Sequence, residues 1–297
     1  FNLNLLSQAI DMQDFLSSTS AGDPFEFNWP ERMNGDISLY SNRFQNESFI
    51  AEEVKTKIRF RDGLLSAKEL RMKTMQGLIT GNAEIKERGE WLSFSSDLEG
   101  QALEVNELFN SFKNFGQDFL TADHLKGKCS AEGSVYFEMS KEMDVDLPSI
   151  IAEVKMKIED GELITLKEMG EICAYLRENN LISSIVDPNQ LETSLKHIYF
   201  EELNNEIKIE KSRIRLPKME IASSAMDISV EGEHGFDQSI DYSVGFYLRD
   251  LWKDGSENEY GKVEDDGLGN RFFLRISGTT ENPIYAYDRL AHKQQRR

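Results

Sequence analysis

Four histidines, two cysteines and 53 acidic side chains are the groups in this 297-residue sequence that could do chemistry. A zinc site draws on His and Cys at short, fixed spacings. His124, His197, His234 and His292 are scattered, and none pairs with another His or with Cys129 or Cys173 at such a spacing. Glu142, Asp144 and Asp146 form one acidic cluster and Asp265-Asp266-Gly267 another. Neither has the ligand spacing of a calcium loop, and both read as solvated loops. There is no nucleophile elbow, phosphate-binding glycine loop or dinucleotide fingerprint. Gly267 and Gly269 stand before a strand, the wrong context for a phosphate cradle. A glycosidase needs two carboxylates placed across a sugar, and a chain this acidic always offers some pair. Trp29, Trp91 and Trp252, which a carbohydrate cleft would use, lie far apart in sequence. The expectation is a protein that is not an enzyme and carries neither metal nor cofactor.

Composition narrows the partners. The net charge of −19 opposes nucleic-acid binding, because phosphates need a basic surface. It also opposes broad adsorption to anionic membranes. Hydrophobic residues make up 39% of the chain, which together with its glycines is enough for a sizeable core. Cys129 alternates with Ala131, Gly133 and Val135 and reads as a small core residue. Two cysteines alone do not define a disulfide. No apolar run approaches the ~18 residues of a membrane-spanning helix. The chain opens on Phe1-Asn2-Leu3-Asn4-Leu5, already in mid-pattern and without a signal peptide or initiator Met, and so reads as part of a longer protein.

The elements follow from periodicity. Val54-Lys55-Thr56-Lys57-Ile58-Arg59-Phe60-Arg61-Asp62-Gly63-Leu64 alternates apolar and charged residues and then turns on Asp-Gly. The unit returns as Val154-Lys155-Met156-Lys157-Ile158-Glu159-Asp160-Gly161, with Glu162 where the first copy has Leu64. Both copies are expected to be equivalent hairpin corners. Strands are expected at about 35–42, 48–61, 64–75, 77–87, 91–99, 125–139 and 150–165, and in series beyond 200. A helix is expected after a short first strand, around Ile10, Asp11, Phe15 and Leu16. A second, over about 105–119, would bury Leu108, Phe112, Phe115 and Phe119. A third, over about 166–186, carries Leu166, Met169, Ile172, Cys173, Leu176 and Leu181, and Asp187-Pro188-Asn189 ends it. The acidic stretch from Trp252 to Asn270 reads as a loop, and the basic stretch from Arg289 to Arg297 as a solvated tail. The fold class is mainly β: a long twisted antiparallel sheet curled into a groove, with two or three amphipathic helices at its face or end. It forms a single domain of two loosely repeated halves, about 1–150 and 151–297.

The order of these elements resembles the C-terminal region of AsmA-like proteins. The residues that carry the resemblance are Ile10-Asp11 with its helix, the Asp62-Gly63-Leu64-Leu65 hairpin, Gly77-Leu78-Ile79-Thr80-Gly81, Leu103-Glu104-Val105-Asn106-Glu107-Leu108-Phe109 and Leu125-Lys126-Gly127-Lys128-Cys129. After the second Asp-Gly unit come Ile214-Arg215-Leu216-Pro217 and Ile228-Ser229-Val230-Glu231-Gly232. The closing Glu264-Asp265-Asp266-Gly267-Leu268-Gly269 and Gly278-Thr279-Thr280-Glu281-Asn282-Pro283 resemble the Bacteroidota-type version. The resemblance implies a periplasmic module, anchored to the inner membrane of a Gram-negative cell through an N-terminal segment outside this sequence. Like TamB-like relatives, it would have an open apolar groove and act in outer-membrane biogenesis. Its partners would be phospholipid or another acyl-chain ligand, the remainder of the parent protein and other envelope proteins, and not nucleic acid. No catalytic residues carry over.

The bottom-up pattern agrees with that role, since lipid transfer needs an apolar trough and a wet exterior rather than a reactive group. The candidate groove-lining residues are Ile207, Ile209, Ile214, Ile221, Ile228, Val230, Val244, Phe246 and Leu248. The competing reading is a structural or protein-binding module of envelope assembly, with a filled core, an exposed sheet edge and no groove.

Overall fold

The structure, a computed structural model, describes residues 1–16, 34–116, 120–164, 167–178, 192–193, 196–224, 227–247 and 271–288. The chain is mostly β. Its strands are β1 (Asn2–Asp11), β2 (Gly35–Asn46), β3 (Phe49–Arg61), β4 (Leu64–Thr74), β5 (Gly77–Arg88), β6 (Trp91–Glu104) and β7 (Leu125–Ser140). They continue as β8 (Val145–Ile164), β9 (His197–Glu210), β10 (Arg213–Ile221), β11 (Ile228–Gly235), β12 (Ser239–Tyr247), β13 (Arg271–Thr279) and β14 (Pro283–Tyr287). The helices are α1 (Met12–Leu16), α2 (Val105–Ser111) and α3 (Lys167–Glu178). The fourteen strands form one sheet in sequence order. The chain divides into two compact units. One comprises residues 1–122, 128–157 and 206–214, and the other 123–127, 158–205 and 215–297.

In the first unit the hairpins form where alternation and turn chemistry agree. Asp62 (φ 49°) and Gly63 (φ 71°) both take the left-handed conformation that a tight two-residue hairpin requires, and β3 and β4 zip from Arg61↔Leu64 onward. The sheet departs from the antiparallel expectation at its first pair, since β1 runs parallel to β2 from Asn2↔Asp36 to Asp11↔Gln45. A parallel neighbour requires the chain to return to the same end. α1 follows β1 directly. Asp11 caps α1, its carboxylate accepting the Gln13 N–H at 2.9 Å.

Three residues break the strict period of two. Glu53, Glu69 and Ala102 take positive φ (51°, 53° and 51°) at shifts in the ladder register. Each bulge inserts one residue, so Ala51 and Val54, Ala67 and Leu70, and Gly100 and Leu103 stay on one face although they are three apart. Glu53 and Glu69 point to the other face, where they pair with Lys73 (2.6 Å) and Lys57 (2.7 Å).

The second Asp-Gly unit is not a hairpin. β8 runs unbroken from Val145 to Ile164, and Asp160 (φ 51°) is a left-handed kink within it. Gly161 is buried because the Phe200 ring of β9 lies against it; a Cβ there would sit 2.0 Å from the ring. This glycine is needed for close approach, whereas Gly63 is needed for its backbone angle. The repeat is therefore a repeat of sequence and not of corner geometry.

The helices are shorter than expected. The expected helix over 105–119 is α2 followed by a 3₁₀ turn at Lys113–Gly116, because Lys113, Asn114 and Phe115 all have φ near 50°. Asn114 Oδ1 accepts the Ala122 N–H at 3.0 Å and helps hold that reversal. The stripe it was to bury comes apart. Leu108 is half-buried, Phe112 and Phe115 stay 46% and 53% exposed and stack at 5.6 Å, and Phe119 lies outside the described residues. α3 ends at Glu178; Leu166, Leu181 and Asp187-Pro188-Asn189 fall outside the described residues.

Candidate functional site

The two faces of the first unit's sheet have opposite chemistry. On one, the register lines up Leu3, Ile37, Ile58, Ala67, Ala83, Ser96 and Val135 across β1 to β7. The next row is Gly35, Phe60, Leu65, Ile85, Phe94 and Phe137, with Phe94 and Phe137 stacked at 4.7 Å. A third is Leu70, Gly81, Leu98 and Gly133. Of these, Ser96 and Gly35 are buried; Ile37, Ile58, Phe60, Leu65, Leu70, Ile85, Phe94, Leu98, Val135 and Phe137 are half-buried, and Leu3 is 48% exposed. The result is an apolar surface across seven strands that is partly covered, with Val54, Ile79, Leu92, Leu103 and Met139 of the same face buried. α2 lies at the strand ends, where Val105 is buried and Gln76 Nε2 in the β4–β5 turn donates to Glu107 at 2.5 Å.

The other face is an ion-pair lattice: Asp36–Arg59 (2.6 Å), Lys57–Glu69 (2.7 Å), Lys68–Glu84 (2.7 Å) and Lys73–Glu53 (2.6 Å). The Arg59 guanidinium holds the Asp36 carboxyl below its ordinary value, and Lys73 does the same for Glu53. Such exposed pairs contribute little stability, with a median of about 0–1 kcal/mol each. Their effect is to keep this face wet. A shallow depression of about 450 Å³ on this side is lined by Asp97, Glu99, Glu132, Glu153 and Lys155 among others.

In the second unit the corresponding surface is filled. Ile228 lies opposite Phe246, and Val230 opposite Val244, which faces Leu274 in turn. Ile228, Val244, Phe246 and Leu274 are buried, and Val230 is half-buried. α3 reaches this side of the sheet: the Tyr285 hydroxyl donates to Glu171 at 2.7 Å, and Cys173 is buried. Burial pushes the Tyr242 phenol up to about 12 and lowers the neighbouring His234.

Of the candidate liners, the fold gathers Ile228, Val230, Val244 and Phe246 into this packed cluster. Ile221 is half-buried on β10. Ile207 and Ile209 on β9 and Ile214 on β10 are half-buried in the first unit. Leu248 lies outside the described residues. The sequence reading did not include the apolar surface of β1 to β7 among its candidates. Its signal was present in Ile37, Ile58, Leu65, Ile85 and Phe94, but period-2 alternation does not distinguish a face that packs under a helix from one that does not.

The groups able to do chemistry are dispersed. Among the described residues no three His, Cys, Asp or Glu side chains gather as a metal set. Glu162, the departure in the second repeat, accepts from His197 Nε2 (2.9 Å) and Lys126 (3.1 Å), which hold its carboxyl below the ordinary value. Tyr199 OH meets His197 Nδ1 at 3.1 Å. These side chains lie at the surface of the second unit. Glu142 and Asp144 form a turn, their backbone N–H groups donating to Ser140 Oγ. His292, Asp265, Asp266, Trp29 and Trp252 lie outside the described residues.

Cys129 and Cys173 are both free thiols, pushed up to about 11 by burial. At pH 8 only about one thiol in a thousand would then be ionised. The native chain is expected to leave both cysteines unreacted in a thiol–disulfide exchange assay at that pH and to release both on denaturation. Rapid native labelling of either would contradict the burial described.

Comparison with family models, with curated proteins and with solved structures finds no match to this chain.

Proposed function

We propose that the chain is a lipid-handling module of the bacterial envelope: a periplasmic part of an inner-membrane-anchored, AsmA-like protein that holds or conducts phospholipid acyl chains in outer-membrane biogenesis. The observation that carries this reading is the partly covered apolar surface over β1 to β7, backed by an ion-paired polar face. The AsmA-like order of elements supports it independently. An acyl chain laid on that surface recovers about 0.8 kcal/mol for each methylene it withdraws from water. The register rows cross several strands, so a chain can rest on one strand after another without meeting a charge. The residues assigned to contact it are Ile37, Ile58, Leu65, Ile85, Phe94 and Val135. The buried cluster around Val244 and Phe246 serves as core.

The test is lipid extraction and mass spectrometry on the purified chain, beside a Leu65→Asp/Ile85→Asp variant. Both positions are only half-buried, and the variant is used only if it keeps the wild-type circular dichroism. Phospholipid co-purifying with the wild type and at least tenfold less with the variant is the expected result. Absence of lipid from the wild type, together with equal uptake of a fluorescent phospholipid by both proteins, would count decisively against the reading.

A further inference from the structure

The reversal after α2 is built by residues that rarely build one. Lys113, Asn114 and Phe115 have φ of 51°, 53° and 54°, a left-handed turn made without glycine and at a steric cost to each residue. Its effect is to bring Phe112 and Phe115 together at the surface, stacked at 5.6 Å and 46% and 53% exposed. Phe109 of α2 meets Phe115 edge-on at 5.2 Å. On the inner side Phe112 lies 6.0 Å from Phe49 of β3, and Phe49 lies 6.3 Å from Phe44 of β2. Phe44 is paired with Ala51, a buried residue of the apolar face. These phenyl rings therefore run from one end of the first unit's apolar surface outward to an exposed tip.

The tip carries no net charge. From Leu108 to Gly116 the only ionisable side chain is Lys113, and Glu47 pairs with it at 2.6 Å, in a chain of which 29% is charged. Phenylalanine has no hydrogen-bonding atom in its side chain. The residues that dominate contacts between proteins are Trp, Tyr and Arg, each with a polar group for a partner to bind. The boundary between lipid headgroups and acyl chains asks instead for apolar area without charge, which Phe and Leu supply. We propose that this aromatic knob inserts into that boundary of a phospholipid bilayer and sets the adjoining end of the apolar surface against the lipid. The proposal rests on the lipid-handling reading and gives it a place of contact with the membrane. The contact draws on apolar area alone, so an uncharged bilayer suffices, and the net charge of −19 meets no anionic lipid there.

Flotation of the purified chain with vesicles of pure phosphatidylcholine tests this, at about 0.15 M and about 1 M salt, between which the screening length falls from about 8 Å to about 3 Å. The wild type is expected to float with the vesicles equally at both. Phe112→Ser/Phe115→Ser is expected to bind roughly tenfold more weakly, since two phenyl rings no longer leave water on binding. Leu65→Asp/Ile85→Asp should float like the wild type, because it alters the acyl-chain surface and not the knob. A wild type that stays below the vesicles overturns the proposal and leaves a protein partner as the occupant of the knob. Binding lost at the higher salt overturns it as well, since charge then makes the contact. So does a knob variant that floats as well as the wild type. The two readings fail separately: a wild type that floats but carries no phospholipid keeps the knob and removes the acyl-chain surface. Should the double variant lose the wild-type circular dichroism, Phe115→Ser alone takes its place, at the more exposed ring.

Discussion

Gly161→Ala destabilises the second unit by about 2–3 kcal/mol, the upper part of the range for overpacking a filled site. The added methyl would lie 2.0 and 2.1 Å from two atoms of the Phe200 ring, which is itself buried, so the ring or the backbone must shift to admit it. Urea denaturation followed by tryptophan-independent circular dichroism measures this as a lower midpoint at unchanged slope. The companion variant Phe200→Leu removes the obstacle. In a double-mutant cycle Gly161→Ala should cost much less in the Phe200→Leu background than in the wild type, a coupling of about 1 kcal/mol or more. Additive costs would mean that the glycine serves some other need. The same substitution at Gly63 would act differently, because a Cβ there meets nothing closer than 3.8 Å and the cost is that of a positive φ alone.

That difference shows how much of the fold the sequence made legible. Alternation located the strands of the first unit to within a few residues, because Val54, Thr56, Ile58 and Phe60 share a face that charged neighbours do not enter. It could not tell Asp62-Gly63 from Asp160-Gly161. The two dipeptides are chemically identical, and what separates them is Phe200, some forty residues downstream, packing on the second. Nor could it show the bulges. Only the ladder reveals that Glu53 and Glu69 each adopt a left-handed backbone that brings the apolar phase back into step. The helix over 105–119 failed for a related reason. Leu108, Phe112 and Phe115 have helical spacing, but the chain reverses at Lys113, and the Phe112 ring lies between Phe115 (5.6 Å) and Phe49 of β3 (6.0 Å). The parallel β1–β2 pair was hidden because strand direction is set by the connection, while side-chain alternation is the same either way.

Of the groove residues read from the strands after residue 200, Ile228, Val244 and Phe246 are buried in a packed cluster, whereas Ile207, Ile209, Ile214 and Ile221 are half-buried. The lipid-facing surface proposed here uses thinner rows, with Ala67, Ala83, Gly81 and Gly133 among larger side chains. Gly81 and Gly133 are there because the neighbouring strands approach closely, so that a Cβ would meet Leu98 and Val154 respectively.

A second substitution pair turns this distinction into a measurement. Leu274 is fully buried between Val244 and Tyr287 in the register, and Leu274→Ala is expected to cost about 3–4 kcal/mol, as large-to-small changes in filled cores do. Ile85 occupies an equivalent central position in the first unit, between Leu65 and Phe94, but it is only half-buried. Ile85→Ala should cost less, about 1.5 kcal/mol, because a side chain left partly in water has fewer contacts to lose. Saturating phospholipid should then widen the gap between wild type and Ile85→Ala, since a ligand that binds the folded state stabilises each protein according to its affinity. The same lipid should leave the cost of Leu274→Ala unchanged. If Ile85→Ala proves as damaging as Leu274→Ala in the absence of lipid, then something already packs on the first unit's apolar surface, and the lipid reading loses the observation that carries it.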